Sequence, residues 1–319
     1  MHDVVRDVAR WIASTFGDEH TSVFQAGIGL NEISHIKISA SVTKISFASN
    51  KIECLPDCFT KCPKTTSLLL QDNQPLKKIP QEFFWACPAL RVLNLSLTSI
   101  TKLPSSLNSL CQLRALILQS CFELKELPCF ANLHNLQMLD CDHTMLHFLP
   151  QGMDNLINLR LLNLYLNKCM GLRKLIAYST FNGLKSLNIQ GCYCAFGPVE
   201  GGSGQFDPLP NLEYLDLYLL VELYVQCSSS DQATLVNSEI PRVCKLKLYR
   251  LPDLGTLGEP QGMWEHLDEL KLITCHGLRK LPLSIQTSKN IKIIEGKSEW
   301  WSQLEWDDDN FMSNLERCC

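Results

Sequence analysis

The sequence predicts an α/β solenoid, in which short turns of chain stack into a curved body. Three observations lead to this expectation: a leucine motif that recurs at a nearly fixed interval, an apolar residue and proline that follow it, and cysteines that occupy positions within it. The motif appears as LRVLNLSLTSITKLP at 90–104, LRALILQSCFELKELP at 113–128 and LQMLDCDHTMLHFLP at 136–150.

The period is measured from the second apolar residue of each LxxLxL unit. These residues are Ile45, Leu68, Leu93, Leu116, Leu139, Leu162, Leu187, Leu215, Leu246, Leu270 and Ile294. The differences between their successive numbers are 23, 25, 23, 23, 23, 25, 28, 31, 24 and 24. Intervals of roughly 20–29 residues are typical of leucine-rich repeats. The sequence therefore predicts about 11 repeats between residues 36 and 295.

Each repeat should consist of a short strand and a longer return segment. Leu93 and Leu95 are two residues apart, so both side chains lie on one face of a strand and enter the core. Leu103-Pro104 follows, and an extended return suits proline because proline donates no main-chain hydrogen bond. Strands stack about 4.8 Å apart, whereas the return segments are bulkier. We therefore expect a horseshoe with a parallel sheet on its concave face and an irregular or short helical convex side.

The two ends of the chain depart from the repeat. Residues 1–35 begin with an apolar helix face, whose members are Val4, Val5, Val8, Trp11 and Ile12. This helix either caps the solenoid or is the last piece of another domain. Residues 296–319 contain Trp300, Trp301, Leu304 and Trp306 before three aspartates, which predicts an aromatic cap with an acidic tail.

Composition and charge limit the kinds of partner and the cellular compartment that we expect. Lys plus Arg number 29 against 33 Asp plus Glu, and the net charge of −4 includes no basic run, so a nucleic-acid partner is not expected. Charged residues at Arg6, Asp7 and Arg10 interrupt the apolar residues of the N-terminus, whereas a signal peptide has a continuous apolar stretch. Without an apolar stretch of membrane-spanning length, the sequence predicts a cytoplasmic protein with no membrane span.

The 16 cysteines are placed for packing rather than for a disulfide framework. One group lies eight residues after the first anchor of a repeat, at a position that we call the slot: Cys121, Cys192 and Cys275. Other repeats have Asn50, Asn73 and Asn167 in the slot, and Cys141 takes an inward leucine position. A slot side chain can bond to main-chain groups where the chain leaves the strand. No Cys/His spacing suits zinc, so no metal is expected.

The chain resembles plant coiled-coil nucleotide-binding leucine-rich-repeat disease resistance proteins. The resemblance rests on Met1-His2-Asp3 with the helix after it, on the phrase IPQEFFWACPALRVLNLSLTSITKLPSSLNSLCQLRALIL and on EGKSEWWSQLEWDDD. It implies that residues 1–35 are a remnant of the NB-ARC winged-helix subdomain plus a linker, in which His2 contacts bound ADP and Asp3 supports the geometry. The chain lacks a GxxxxGK[ST] loop, so we expect no cofactor unless a nucleotide-binding domain lies upstream.

The most suggestive candidate residues for partner binding alternate with the buried leucines on three adjoining strands. They are Tyr214, Asp216, Tyr218, Lys245, Lys247, Tyr249 and Lys271. Tyrosines supply rigid contact area and lysines supply charge, a combination that is typical of protein-recognition hot spots. An acidic protein surface would suit this patch, while any solenoid also displays mixed polar residues on its solvent face.

The leading hypothesis is a non-enzymatic recognition and autoinhibition module of a plant intracellular immune receptor. It would sense pathogen effectors or modified host proteins, or dock onto its own nucleotide-binding domain. No serine elbow, paired acidic motif or HExxH accompanies the eight histidines. The alternatives are an extracellular leucine-rich-repeat binder, for which Asn94-Leu95-Ser96 is a formal glycosylation sequon, a nucleotide-driven switch, and a stand-alone truncated repeat protein. Genomic sequence before Met1 distinguishes them.

Replacement of Leu116 by alanine tests the predicted core. We expect the free energy of unfolding to fall by roughly 2–5 kcal/mol, because an inward leucine loses its packing and leaves a cavity. Urea unfolding of both proteins measures the difference. A change within about 0.5 kcal/mol, as at an ordinary surface position, would contradict the assignment of Leu116 to the core.

Overall fold

The computed structural model describes most of the repeat region. The described residues are 22–57, 61–166, 183–190, 213–218, 244–250, 266–281, 290–296 and 301–305. The chain divides into two compact units, unit 1 with residues 1–159 and unit 2 with residues 160–319. The predicted N-terminal helix and the loops around 201–204 and 226–231 lie outside the described residues.

Unit 1 contains parallel strands that follow one another in chain order. They are β1 (Ser22–Phe24), β2 (Lys44–Ser46), β3 (Ser67–Leu69), β4 (Val92–Asn94), β5 (Ala115–Ile117) and β6 (Met138–Leu146). Leu68, Leu93, Leu116 and Leu139 face one another in register, which confirms the leucine column that the period predicts. Strand β1 adds a turn that the leucine motif does not predict, since Val23 takes the place of the leucine and pairs with Ile45.

Unit 2 repeats the arrangement with strands of 4 to 6 residues. They are β7 (Leu161–Leu166), β8 (Ser186–Gln190), β9 (Tyr214–Tyr218), β10 (Lys245–Tyr249), β11 (Glu269–Ile273) and β12 (Ile293–Gly296). The inward residues again pair in register, namely Leu162, Leu187, Leu215, Leu246, Leu270 and Ile294. The two longest intervals, which end at Leu215 and Leu246, therefore leave the ladder of strands intact. The predicted parallel-strand leucine-rich-repeat solenoid is confirmed.

The core lies between the strands and the return segments. Leu68, Leu93, Leu116 and Leu139 are fully buried. In the described part of unit 1 the return segments contribute three short 3₁₀ helices, Phe83–Ala86, Ser105–Ser109 and Met153–Asn155. Their apolar side chains close the core from the other side, and Phe83, Phe84, Leu107 and Met153 are almost completely buried. Since neighbouring turns share this core, the stability of each turn depends on the turns beside it.

In seven described turns the chain leaves the strand through the same left-handed turn. The residue four positions after the inward leucine has a positive φ of 51–60° in seven described turns: Ser49, Asp72, Leu97, Ser120, His143, Arg250 and Thr274. An L-residue in this conformation costs roughly 1–2 kcal/mol. The next residue is the slot residue, and in six of these turns its side chain bonds to the main chain around the bend.

The slot hydrogen bonds connect adjacent turns. Asn73 donates from Nδ2 to the carbonyls of Leu70 at 2.8 Å and Phe47 at 2.9 Å, and its Oδ1 accepts from the Ile52 N–H at 3.1 Å. Asn50 likewise donates to the Phe47 carbonyl at 3.0 Å and to Gln25 in the preceding turn at 2.7 Å. Each asparagine therefore satisfies groups in its own turn and in the turn before it.

Cysteine and threonine fill the slot where asparagine is missing. The Cys121 thiol donates to the Leu95 carbonyl at 3.1 Å, and burial raises the pKa of this thiol, so it keeps its proton. Cys275 and Cys141 are buried as predicted, while Cys192 and Asn167 lie outside the described residues. The sequence did not predict the threonine slots: the Thr98 hydroxyl donates to Leu95 at 2.8 Å and the Thr144 hydroxyl donates to Cys141 at 2.8 Å.

The described C-terminal residues fold back on the last turns. Leu304 is 7% exposed, and the Glu305 N–H donates to the Arg279 carbonyl at 2.7 Å. Trp301 is partly buried, whereas Trp300 and Trp306 lie outside the described residues. Within the described chain, no helix has both the length and the apolar character needed to span a bilayer.

Replacement of Asn73 by alanine tests the slot. Leu70 and Ile52 lose their bonds to Asn73 inside the protein, and a buried unpaired polar group costs about 1–3 kcal/mol. We expect the free energy of unfolding, measured by urea denaturation, to fall by roughly 2–4 kcal/mol. Asn135→Ala is the matched control, because Asn135 is exposed and donates one bond to the Cys111 carbonyl of the preceding turn at 2.8 Å. Equal losses in the two variants would show that slot burial contributes nothing.

Candidate functional site

The predicted binding residues lie in rows across β9, β10 and β11. Main-chain register places Tyr214 beside Lys245 and Lys245 beside Glu269 in the first row. The second row contains Asp216, Lys247 and Lys271, and the third contains Tyr218, Tyr249 and Ile273. All these positions alternate with inward leucines, so they share the open face of the sheet. For Asp216 and Tyr218 the structure describes the main chain alone.

Glu269 is the centre of an ion-pair network on this face. Its carboxylate lies 2.9 Å from Lys245 Nζ, 3.8 Å from Lys271 Nζ and 3.9 Å from Lys247 Nζ. Lys271 Nζ also lies 2.6 Å from the carboxylate of Glu295 on β12. Three ammonium groups thus share two carboxylates, which leaves one net positive charge among these five residues. The predicted cationic patch is present, but it is largely neutralised from within.

The network stabilises the charged forms of Glu269, Lys245 and Lys271. A hydrogen bond from Lys245 lowers the pKa of Glu269 below its ordinary 4.5. The same bond raises the pKa of Lys245 above 10.5. A hydrogen bond to Glu295 likewise raises the pKa of Lys271. These lysines are therefore firmly protonated at neutral pH, which suits the binding of anions and not the attack on an electrophile.

An aromatic contact holds the first row together. The Lys245 ammonium lies 5.7 Å from the centre of the Tyr214 ring, within the range of a cation–π interaction. Tyr214 remains 44% exposed despite this contact. A large, partly exposed ring beside a fixed cation offers contact area at little cost in side-chain entropy.

A shallow groove of about 190 Å³ lies on the same face. Its lining consists of Asn163, Ser186, Leu187, Asn188, Tyr214, Lys245 and Lys247. Both charged residues of the lining are lysines, and Glu269 is not part of the lining. The remaining polar residues offer amide and hydroxyl groups. This combination fits a carboxylate, such as an acidic side chain of a protein.

Sequence reasoning found the patch but missed its organisation. Glu269, which lies among three lysines of the patch, was not one of the predicted binding residues. The signal was present, because alignment of the repeats by their leucines places Lys245 and Glu269 in the same row. The predicted nucleotide contacts, His2 and Asp3, lie outside the described residues. Within the described part of the chain, no cluster of three His, Cys, Asp or Glu side chains has the arrangement of a metal site.

Comparison with known proteins agrees with the repeat architecture. The family described as "Leucine rich repeat" matches residues 63–121. Disease resistance protein At4g27190 of Arabidopsis thaliana is 43% identical over 166 residues, which are 51% of this chain and 17% of that protein. Disease resistance protein UNI of the same plant is 28% identical over an alignment that covers 97% of this chain and 44% of that protein. This chain is a leucine-rich-repeat homologue of plant disease resistance proteins.

The homologous region is a part of those longer proteins, since the chain spans less than half the length of both relatives. Among solved structures, the leucine-rich-repeat protein LIC12759 of Leptospira interrogans aligns with a TM-score of 0.62. The alignment covers 91% of this chain and 75% of the bacterial protein at 19% identity. At that identity the likeness concerns the leucine-rich-repeat fold alone.

The pH dependence of Glu269→Gln tests the ion-pair network. A carboxyl whose folded pKa is depressed stabilises the protein above its unfolded pKa and loses that effect as pH falls through the folded value. Lysines with raised pKa values keep their contribution below 10.5 and lose it as pH rises through the folded pKa. We therefore expect the variant to melt below the wild type throughout pH 4.5–10.5. The difference should shrink outside that window.

Thermal melts across pH measure this difference. Glu295→Gln is the control, because Glu295 contacts one lysine of the network and is 54% exposed in its side chain, so its replacement should have a smaller effect. A gap between wild type and Glu269→Gln that persists after the carboxylate is protonated would contradict the proposed network.

Proposed function

We propose that the chain is the protein-recognition module of a plant intracellular immune receptor. In this role it senses pathogen effectors or host proteins that pathogens have modified, and it performs no catalysis itself. The naming of its homologues as disease resistance proteins supports this proposal. So does the repeat architecture, which presents a row of side chains from each turn on one rigid sheet.

The groove beside the ion-pair network is the observation on which the proposed function rests. Lys245 is held in place by a 2.9 Å bond to Glu269, and Lys247 lies 3.9 Å from the same carboxylate. A partner that inserts a carboxylate therefore meets one cation that has already lost much of its side-chain freedom, with a second cation beside it. The partner class favoured by this geometry is therefore a protein segment with an acidic side chain.

We further propose that the same face takes part in autoinhibition. A face that docks onto the receptor's own nucleotide-binding domain is unavailable to an effector, so the two partners compete for it. Release of the domain would then follow from differential binding, as any ligand-driven switch requires. This mechanism places the module in the cytoplasm together with the domain that it restrains.

Proximity labelling in plant leaf cells tests the proposed function. The chain is fused to a labelling enzyme and compared with a variant in which Tyr218, Lys247 and Tyr249 are replaced by alanine. We expect the variant to lose at least one protein neighbour that the wild type labels, because truncation of a hot-spot residue commonly costs about 2 kcal/mol or more of binding free energy. The unfolding midpoint should fall less than in Glu269→Gln, since these positions belong to the open face and Lys247 is the most distant of the three lysines around Glu269.

A control variant of the same side-chain types sharpens the comparison. Lys78, Trp85 and Phe148 are exposed residues of unit 1, and the two aromatic side chains are 57% and 71% exposed. Their replacement by alanine should leave the labelled neighbours unchanged. An identical set of neighbours for the wild type and the Tyr218/Lys247/Tyr249 variant would discard the patch as the recognition site.

A further inference from the structure

The open face of unit 1 contains an apolar stripe that the leucine motif does not explain. Val92, Ala115 and Met138 are direct neighbours in the register of β4, β5 and β6. Each is half-buried and alternates with a fully buried inward leucine, so each lies on the open side of the sheet. Leu69 and Ile117 extend the stripe along the strands and are also half-buried.

Two arginines of like charge border this stripe. Arg91 and Arg114 directly precede Val92 and Ala115, and the Arg114 N–H donates to the Arg91 carbonyl at 2.8 Å. Both side chains are exposed, and neither forms an ion pair with another residue in the described part of the chain. Adjacent like charges repel each other, so this edge of the stripe favours a negative group.

The equivalent positions of unit 2 show a different pattern. There the Glu213 N–H donates to the Lys185 carbonyl and the Lys292 N–H donates to the Asp268 carbonyl, both at 2.8 Å. The side chains of these neighbours have opposite charges and form ion pairs at 2.6 Å and 3.3 Å. Side chains that directly precede a strand can therefore contact the equivalent side chain of the next turn. Of these three neighbouring pairs, Arg91 and Arg114 alone have no acidic residue as a member.

The opposite edge of the stripe is acidic. Asp140 and Asp142 lie on β6, beyond Met138, on the same face of the strand. Asp142 contacts His143 at 2.9 Å through Oδ2, but its buried Oδ1 has no hydrogen-bond partner in the described chain. The buried Oε1 of Gln71, which follows β3 on the same face, also has none there. The Asp142 carboxylate gives this edge a negative charge, which favours an ammonium or guanidinium group of a partner.

We propose that the open face of unit 1 is a second protein-binding surface. It takes an extended segment of a partner that carries an acidic side chain, then apolar side chains, then a basic side chain. The acidic side chain lies at Arg91 and Arg114, the apolar ones cover the stripe, and the basic one reaches Asp142. From the arginine row to the row of Asp142 is about five residues, or roughly 16 Å of strand, which a segment of about seven residues spans.

This surface is formed by other residues than the groove in unit 2, and it binds a partner with a different arrangement of charges. The groove requires a carboxylate alone, whereas the face of unit 1 distinguishes the two ends of a segment by charge. Complementary charge at both edges adds specificity, because a segment of the wrong sign meets repulsion at one of them.

Fluorescence anisotropy with the purified full chain and a labelled synthetic peptide tests the proposal. The peptide contains two glutamates, three valines and two lysines in that order. One comparison peptide has lysines at both ends, and another has serines in place of the valines. We expect the first peptide to bind at least about tenfold more tightly than either of the others, a difference of about 1.4 kcal/mol. Equal binding of the three peptides, or no binding, would overturn the proposal.

Protein variants locate the binding. Arg91→Glu with Arg114→Glu should weaken the first peptide at least about tenfold and make the peptide with lysines at both ends the better ligand. Lys77→Glu with Lys78→Glu is the control, because it makes the same charge change at exposed positions of a return segment. Unchanged affinity in the arginine variant would overturn the proposal.

A milder variant and a variant of unit 2 complete the design. Arg91→Gln with Arg114→Gln should give an intermediate loss, and it serves if charge reversal impairs folding, which circular dichroism reports. In a Lys247→Gln background, which weakens the carboxylate-binding groove, the first peptide should still bind at least about tenfold more tightly than the two comparison peptides, and the arginine substitutions should still weaken it. Loss of this preference in the Lys247→Gln background would place the peptide in unit 2 and reject the second surface, while leaving the proposed function in force.

Discussion

The main-chain register between successive turns is the constraint on which the rest of the structure depends. Each inward residue lies beside its counterpart in the next turn, as Leu93 lies beside Leu116. A slip of one residue would exchange the buried and open faces of a strand. The leucine column, the slot hydrogen bonds and the rows of binding residues would all be lost together. The positions of the binding residues are thus fixed by the register of the strands that carry them.

The parts of the fold that repeat in residue type were predictable, and the others were not. Leucines at fixed spacing identified strands and core, because burial demands the same side chain in every turn. Val23 begins a turn without that leucine, so β1 was missed. Thr98 and Thr144 were missed in the slot because each hydroxyl bonds to the carbonyl three residues earlier, a role that the asparagine pattern does not reveal.

The candidate site shows a different limit of sequence reasoning. The tyrosines and lysines were identified as open-face residues, and their rows follow from the leucine alignment. The alignment does not give the net charge of the face, because it does not show that Glu269 neutralises part of the positive charge of the lysines. The result is a face with fixed cations and modest net charge. Such a face selects partners by the position of a carboxylate more than by long-range attraction.

The constant step from inward leucine to slot residue has an evolutionary consequence. Leu68 and Asn73 are as far apart in the chain as Leu116 and Cys121, while the interval from one inward residue to the next varies among the turns. Unequal crossing-over within the return segments can therefore duplicate or delete a turn and still join matching ladders. A gene built this way can lengthen or shorten its ligand-contacting array by whole units, and can acquire new surface chemistry without redesigning its scaffold.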